Sequence, residues 1–232
     1  MKLYDIGYNH GTDKADHGYL SVYEKHMEKY KDSENLNILE LGVLGGCSML
    51  MWREYFPKAR IMGADIQSEG NNIRGELVET SFFAKDSNCR FYLCDQSDKD
   101  QLTRMCESIV KETGRGIDIF IDDASHFQPD MMLTLGVIFP YMEEGGVFVI
   151  EDICTEENLL AGHRWWGSDQ NPTIDSCVEK TMIRYLDTGT MTSPYLSEEM
   201  LMYLNGNITS CDFYKALVPP ISGTSSLVVL TK

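Results

Sequence analysis

Short apolar runs bounded by glycine or acidic residues recur along this chain, and between them apolar positions fall at helical spacing. "LNILELGV" (Leu36–Val43) ends in glycines and reads as a buried strand. "GCSMLMWREYF" follows with the apolar spacing of a helix, and "ARIMGADI" and "CRFYLCD" predict a second and a third strand, the third closed by Asp95. "DKDQLTRMCESIVKET" predicts an amphipathic helix with Leu102, Met105, Cys106, Ile109 and Val110 on one side. "IDIFIDD" predicts a fourth strand, "MMLTLGVIFPYM" a helix broken near Pro140, and "GGVFVIED" a fifth strand. Strands apolar on both faces, alternating with helices, predict an α/β fold: a parallel sheet with helices on both faces. "ITSCDFYKALVPP" and "SSLVVLTK" lie close together with no helix between them, so they predict a closing antiparallel hairpin.

Two regions stand outside that rhythm. Residues 1–34, about, predict a helical cap, and residues 156–207, about, an insertion over the carboxyl ends of the sheet, where open α/β sheets bind ligands. "NLLAGHRWWGSDQNPT" in that insertion has no clear period, while "SCVEKTMIRYLDTG" and "SEEMLMYL" read as helices. At most one of Trp165 and Trp166 is placed to stack on a substrate face, since adjacent side chains diverge. A length of 232 residues suits a single domain.

Composition narrows the partner. The net charge is −16, from 36 acidic and 20 basic residues, which opposes binding to nucleic acid or anionic lipid. The 7 cysteines are scattered without a C-x-x-C pair and read as reduced thiols of a cytoplasmic protein. "MKLYDIGYNHGTDK" lacks the apolar segment of a signal peptide, and no run approaches a membrane span. The expected partner is a small molecule, with homo-oligomerisation left open.

The strand ends carry the candidate chemistry. "LELGVLGGCS" places Glu40, Gly42, Gly45 and Gly46 at a turn from strand to helix, a bend that glycine permits. The spacing fits the dinucleotide pattern G-x-G-x-x-G poorly, which argues against an NAD-dependent oxidoreductase. The acid before the first glycine suits a ligand with positive charge, such as the sulfonium and ammonium of S-adenosylmethionine; a turn with no ligand is the alternative. Asp65 is placed to accept ribose hydroxyls, Asp95 to accept from an adenine amino group, and Gln96 to line the same pocket. Lys14 and Tyr19 are placed to meet the cofactor carboxylate and Tyr23 to pack over the pocket, with a plain capping helix as the alternative.

Asp122 and Asp123 end the fourth strand, and Glu151 and Asp152 end the fifth. Side chains alternate along a strand, so not all four acids converge. Asp123, Glu151 and Asp152 are the convergent set, with Asp122 turned toward the cofactor side or a backbone contact. Ionised carboxylates that close repel one another unless a cation intervenes. Oxygen ligation favours Mg²⁺, with Mn²⁺ or Ca²⁺ as substitutes; an acidic rim on an acidic protein is the alternative. His126, three residues past Asp123, is placed to take a proton from a substrate hydroxyl.

"ILELGVLGGCSMLMWREYFPKARIMGADI", "CDQSD", "IDDASH" and "GGVFVIED", together with "GTDKADHGYLSVYEKHM", resemble the metal-dependent macrocin- and mycinamicin-type sugar O-methyltransferases. The resemblance covers roughly residues 9 to 155. It implies a class I, Rossmann-like methyltransferase sheet, S-adenosylmethionine, Mg²⁺ held by Asp123, Glu151 and Asp152, and His126 as general base for a hydroxyl of a sugar or secondary metabolite. Ala124 and Cys47 stand where that family usually has glycine. A catechol-type phenolic methyltransferase and a non-catalytic scaffold that keeps the cofactor pocket are the competing readings.

Overall fold

The computed structural model describes residues 1–71, 77–160, 177–215, 217 and 226–232. Seven strands form one sheet: β1 (Asn37–Leu41), β2 (Arg60–Asp65), β3 (Cys89–Leu93), β4 (Ile117–Asp122), β5 (Met142–Ile150), β6 (Ser210–Tyr214) and β7 (Leu227–Thr231). Their order across the sheet is 3-2-1-4-5-7-6. β1 to β5 pair in parallel, and β7 alone runs against its neighbours β5 and β6. The parallel sheet and closing antiparallel pair are those expected from the sequence.

Apolar side chains leave the sheet in both directions, and each face gathers its own helices. One face carries α1 (Leu3–His10), α2 (Tyr19–Met27) and α3 (Cys47–Tyr55), which bury Leu3, Tyr23 and Trp52 against Ile38, Ile121 and Val149. The other carries α4 (Lys99–Thr113) and α5 (Gln128–Ile138), which bury Leu102, Ile109 and Met131 against Leu39, Phe120 and Ile150. α4 starts where the Asp98 carboxylate caps the amides of Asp100 and Gln101, and it ends at left-handed Gly114. α5 gives way to a 3₁₀ turn at Phe139–Tyr141, the break foreseen at Pro140.

The expected N-terminal cap is helical and packs on the sheet. After α6 (Glu156–Leu160), the described part of the expected insertion is helical. α7 (Val178–Thr188) and α8 (Glu198–Asn207) bury Val178, Met182 and Leu204 in the same core layer as α5. Trp165 and Trp166 lie outside the described residues. The β2–β3 crossover also departs from a simple β-α-β unit. It holds a short antiparallel pair, Glu69–Asn71 with Leu77–Glu79, and a 3₁₀ turn at Ser81–Ala84. Among the described residues no helix is long and apolar enough to cross a membrane.

Candidate active site

Strand parity decides where each acid goes. Ile38, Ile121 and Val149 face the α1–α3 layer, so Glu40, Asp123 and Glu151, each two residues further on, leave on that side. There they meet Lys14, from the turn between α1 and α2. Its ammonium lies 2.5 Å from Asp123 Oδ2, 2.8 Å from Glu151 Oε1 and 3.5 Å from Glu40 Oε1, and its side chain is only 1% exposed. Burial alone would lower the pKa of Lys14, but Asp123, Glu151 and Glu40 together hold it well above its ordinary value. Glu151 is pushed upward by burial and by Asp123, against the pull of Lys14. It also accepts the buried phenol of Tyr23.

Asp152 follows a left-handed backbone, φ 51°, which turns the chain sharply as it leaves β5. The phenol of Tyr19 donates to its Oδ1 at 2.5 Å, and Nδ1 of His17 lies 3.6 Å from the same oxygen. Burial raises the pKa of Asp152; His126 lowers it and Asp123 raises it. His126 is also left-handed, φ 58°, and nearly buried. Its Nε2 lies 3.8 Å from Asp123 Oδ1 and 3.9 Å from Asp152 Oδ2. Asp123, His126 and Asp152 each offer a ligand atom, and these atoms all lie within 4.8 Å of one another.

Several expected roles are redrawn by this geometry. Lys14 and Tyr19, expected at the cofactor carboxylate, bind Asp123, Glu151 and Asp152 in this structure. Glu151 belongs with Lys14 and Tyr23, while Asp152 and Asp123 share the cluster with His126. Glu40 is fully buried and accepts from Ser48 Oγ at 2.6 Å and from the Trp52 indole, so it is spent on α3 and Lys14. Burial raises its pKa, against the opposite pull of Lys14. Asp122 shares its parity with Phe120 and faces the α4–α5 layer, where Gln96 Nε2 donates to it at 2.6 Å. Gln96 accordingly points inward at 5% exposure.

The turn after β1 keeps a shape suited to a ligand. Gly42 has φ 98°, and a Cβ there would lie 2.0 Å from the Asp123 carbonyl oxygen, so this glycine lets the loops after β1 and β4 touch. A Cβ on Gly45 would meet nothing within 4 Å. Asp65 Oδ2 accepts from the amide of Val43 at 2.9 Å and steadies the turn, and Asp95 Oδ1 accepts from Ser97. Leu44, Ile66 and Leu93, at the ends of β1, β2 and β3, are exposed. Three uncovered apolar side chains along one sheet edge beside two carboxylates suit an adenosyl group, with apolar faces and polar edges.

A divalent cation fits the second half of the site. Asp123 and Asp152 are like charges in a largely buried place, and each has an oxygen facing the other near His126. Missed by sequence reasoning were the partners of the acids: His17, Ser48 and Trp52. The spacing of Tyr19 and Tyr23, four apart on α2, was the one available signal that this face looks at the sheet.

Several known proteins are similar to this chain. The chain is 30% identical over 161 residues to an 8-demethyl-8-α-L-rhamnosyl tetracenomycin-C 2′-O-methyltransferase of Streptomyces olivaceus, covering 66% of this chain and 38% of that protein. It is 30% identical over 146 residues to the mycinamicin VI 2″-O-methyltransferase of Micromonospora griseorubida, covering 60% of this chain and 32% of that protein. This chain thus spans well under half the length of these curated relatives. Among solved structures, the MycE methyltransferase of the mycinamycin pathway, in complex with Mg and SAH, superposes over 100% of this chain and 54% of its own, with a TM-score of 0.70 at 20% identity. The fold is that of a class I methyltransferase, and the resemblance to the sugar O-methyltransferases holds. No protein-family model matches the chain.

Proposed function

We propose that this chain is an S-adenosylmethionine- and Mg²⁺-dependent O-methyltransferase acting on a hydroxyl of a sugar or secondary metabolite. The observation that carries the reading is the meeting of Asp123, His126 and Asp152 at the ends of β4 and β5, in a chain similar to sugar O-methyltransferases. S-adenosylmethionine supplies an electrophilic methyl group on a sulfonium. Asp123 and Asp152 would hold Mg²⁺, which would supply Lewis acidity toward the substrate hydroxyl. Mg²⁺ prefers oxygen ligands, which leaves the His126 imidazole for proton transfer.

The residues of the chain then divide the work. Asp65 and Asp95 bind the ribose and adenine ends of the cofactor, and Gly42 and Gly45 leave the backbone low beneath it. His126 accepts the hydroxyl proton at Nε2, and the bound cofactor would supply the methyl group that the substrate oxygen receives. Tyr19 fixes Asp152, and Lys14 fixes Asp123 and Glu151, so the carboxylates need not reorganise during reaction. Alignment of the two reactants is worth roughly 7–11 kcal/mol at best, and proton abstraction on the order of 10²–10⁴-fold. Helices α1 and α2 roof the acids and exclude water from one side.

The test is S-adenosylmethionine consumption against a panel of glycosides and phenols, with Mg²⁺ or with chelator. Turnover on glycosides that stops with chelator is expected. His126→Ala should lose about 10²–10⁴-fold in turnover with S-adenosylhomocysteine affinity little changed, and Asp123→Ala should behave likewise. Metal-independent turnover, or near-normal rates in either variant, overturns the reading. Turnover confined to phenols transfers the assignment to catechol-type chemistry.

A further inference from the structure

We propose that Gln96 is a positioning residue that clamps the loop carrying Asp123 and His126, an inference that rests on the functional reading above. The side chain follows β3 yet turns away from the crevice, and its amide orientation is fixed by its partners. The amide of Ser125 is only a donor, so the atom it meets at 2.9 Å is the carboxamide oxygen of Gln96. The carboxamide nitrogen is left to donate to Asp122 Oδ1 at 2.6 Å and to Thr134 Oγ1 at 3.1 Å. One buried side chain therefore joins the end of β3 to the last residue of β4, to the loop backbone and to α5.

The loop needs such a constraint. Ser125 stands between Asp123 and His126, and its hydroxyl donates to Asp130 Oδ2 at 2.9 Å while accepting from the amide of Phe127 at 3.1 Å. His126 itself has φ 58°, a conformation unfavourable for a non-glycine residue that persists only where its surroundings impose it. Release of the Ser125 amide frees the chain to relax toward ordinary extended geometry. That relaxation carries the imidazole away from Asp123 and Asp152. The bond from Gln96 to Asp122 is short and buried, so the clamp is anchored at its far end in the core.

The test compares Gln96→Met, which keeps length and flexibility but removes both hydrogen-bonding groups, with Thr134→Val, which removes only the α5 link. Three quantities are read: amide hydrogen exchange at Ser125 and His126 relative to β1, Mg²⁺ affinity, and S-adenosylhomocysteine affinity by calorimetry. In Gln96→Met the loop amides should exchange about tenfold faster or more while β1 is unchanged. Mg²⁺ should bind about 10–100-fold more weakly, the usual cost of losing a group that orients metal ligands, with S-adenosylhomocysteine affinity within about threefold of wild type. Thr134→Val should leave all three near wild type. Unchanged loop exchange in Gln96→Met, equal effects in both variants, or a loss confined to S-adenosylhomocysteine affinity overturns the proposal. If wild-type protein binds neither ligand, the functional reading fails by itself, and the exchange comparison still decides the clamp. Should Gln96→Met not fold, Gln96→Asn, one carbon too short to span both partners, takes its place.

Discussion

Lys14 is a single ammonium closed in by Asp123, Glu151 and Glu40, and it sets the charge balance of the whole site. Removing one member of a buried ion cluster leaves the others without compensation, which typically costs about 3–5 kcal/mol. Lys14→Met should therefore lower the melting temperature by roughly 10 °C for a chain of this size, measured by calorimetric or circular-dichroism melting. A shift of only a degree or two would mean that the acids find other compensation. At the same scale, Asp123, Asp152 and His126 were legible in the sequence because acids follow apolar strands and a histidine follows at short range. The capture of Lys14 by those acids was not legible. It spans 109 residues to Asp123 and depends on how the cap docks. Gln96 was read as a pocket wall because sequence shows that a side chain follows a strand, and does not show whether the turn aims it inward.

Elements explain which carboxylates meet. The period-2 alternation of β4 and β5 separates Asp122 from Asp123, as the sequence led us to expect, and sends Asp122 to the α5 face. The left-handed turn at Asp152 has no such sequence mark, since aspartate at a strand end is ordinary. Asp152 therefore pairs with His126 and Tyr19, although its register alone places it elsewhere. The contact between the loops after β1 and β4 yields a further prediction. Gly42→Ala puts a methyl group 2.0 Å from the Asp123 carbonyl at φ 98°, so both the backbone and the neighbour must yield. A loss of at least about 1–3 kcal/mol in urea unfolding is expected, with weakened Mg²⁺ binding because Asp123 is displaced. Wild-type stability in that variant would mean that the two loops part at little cost. The helices after Cys177 were recognised as helices from their period, yet their place in the core was not. Amphipathic spacing reports a buried face and is silent on which layer covers it.

At the scale of the molecule, buried carboxylates govern the response to pH. Burial pushes Asp122 up to about 8, opposed by its bond from Gln96 and reinforced by Asp123. Glu40, Glu151, Asp152, Asp118 and Asp130 shift the same way, each chiefly through burial. A carboxyl that holds its proton more tightly when folded makes the native state bind more protons than the unfolded chain between the two pKa values. Stability then falls as pH rises through that window, here from about 4 to about 8 for Asp122. Asp86 and Asp98 are shifted down and oppose this at the acidic end, but both are solvated and count for less. The charge of −16 acts in the same sense, since every proton gained relieves self-repulsion. Metal-free protein should melt higher at pH 5.5 than at pH 8, and Asp122→Asn should flatten the difference. A melting temperature that rises steadily over that range would contradict it.

The site account stands or falls on the pair Asp123 and Asp152. Mn²⁺, an oxygen-ligand substitute for Mg²⁺, can be titrated into the protein and followed by electron paramagnetic resonance. Wild-type protein should bind a single ion per chain in competition with Mg²⁺. Asp123→Asn and Asp152→Asn should each weaken binding by about 10–100-fold or more, and His126→Gln should bind near wild type. Binding that is untouched by either aspartate substitution, or absent from the wild-type protein, would contradict the account.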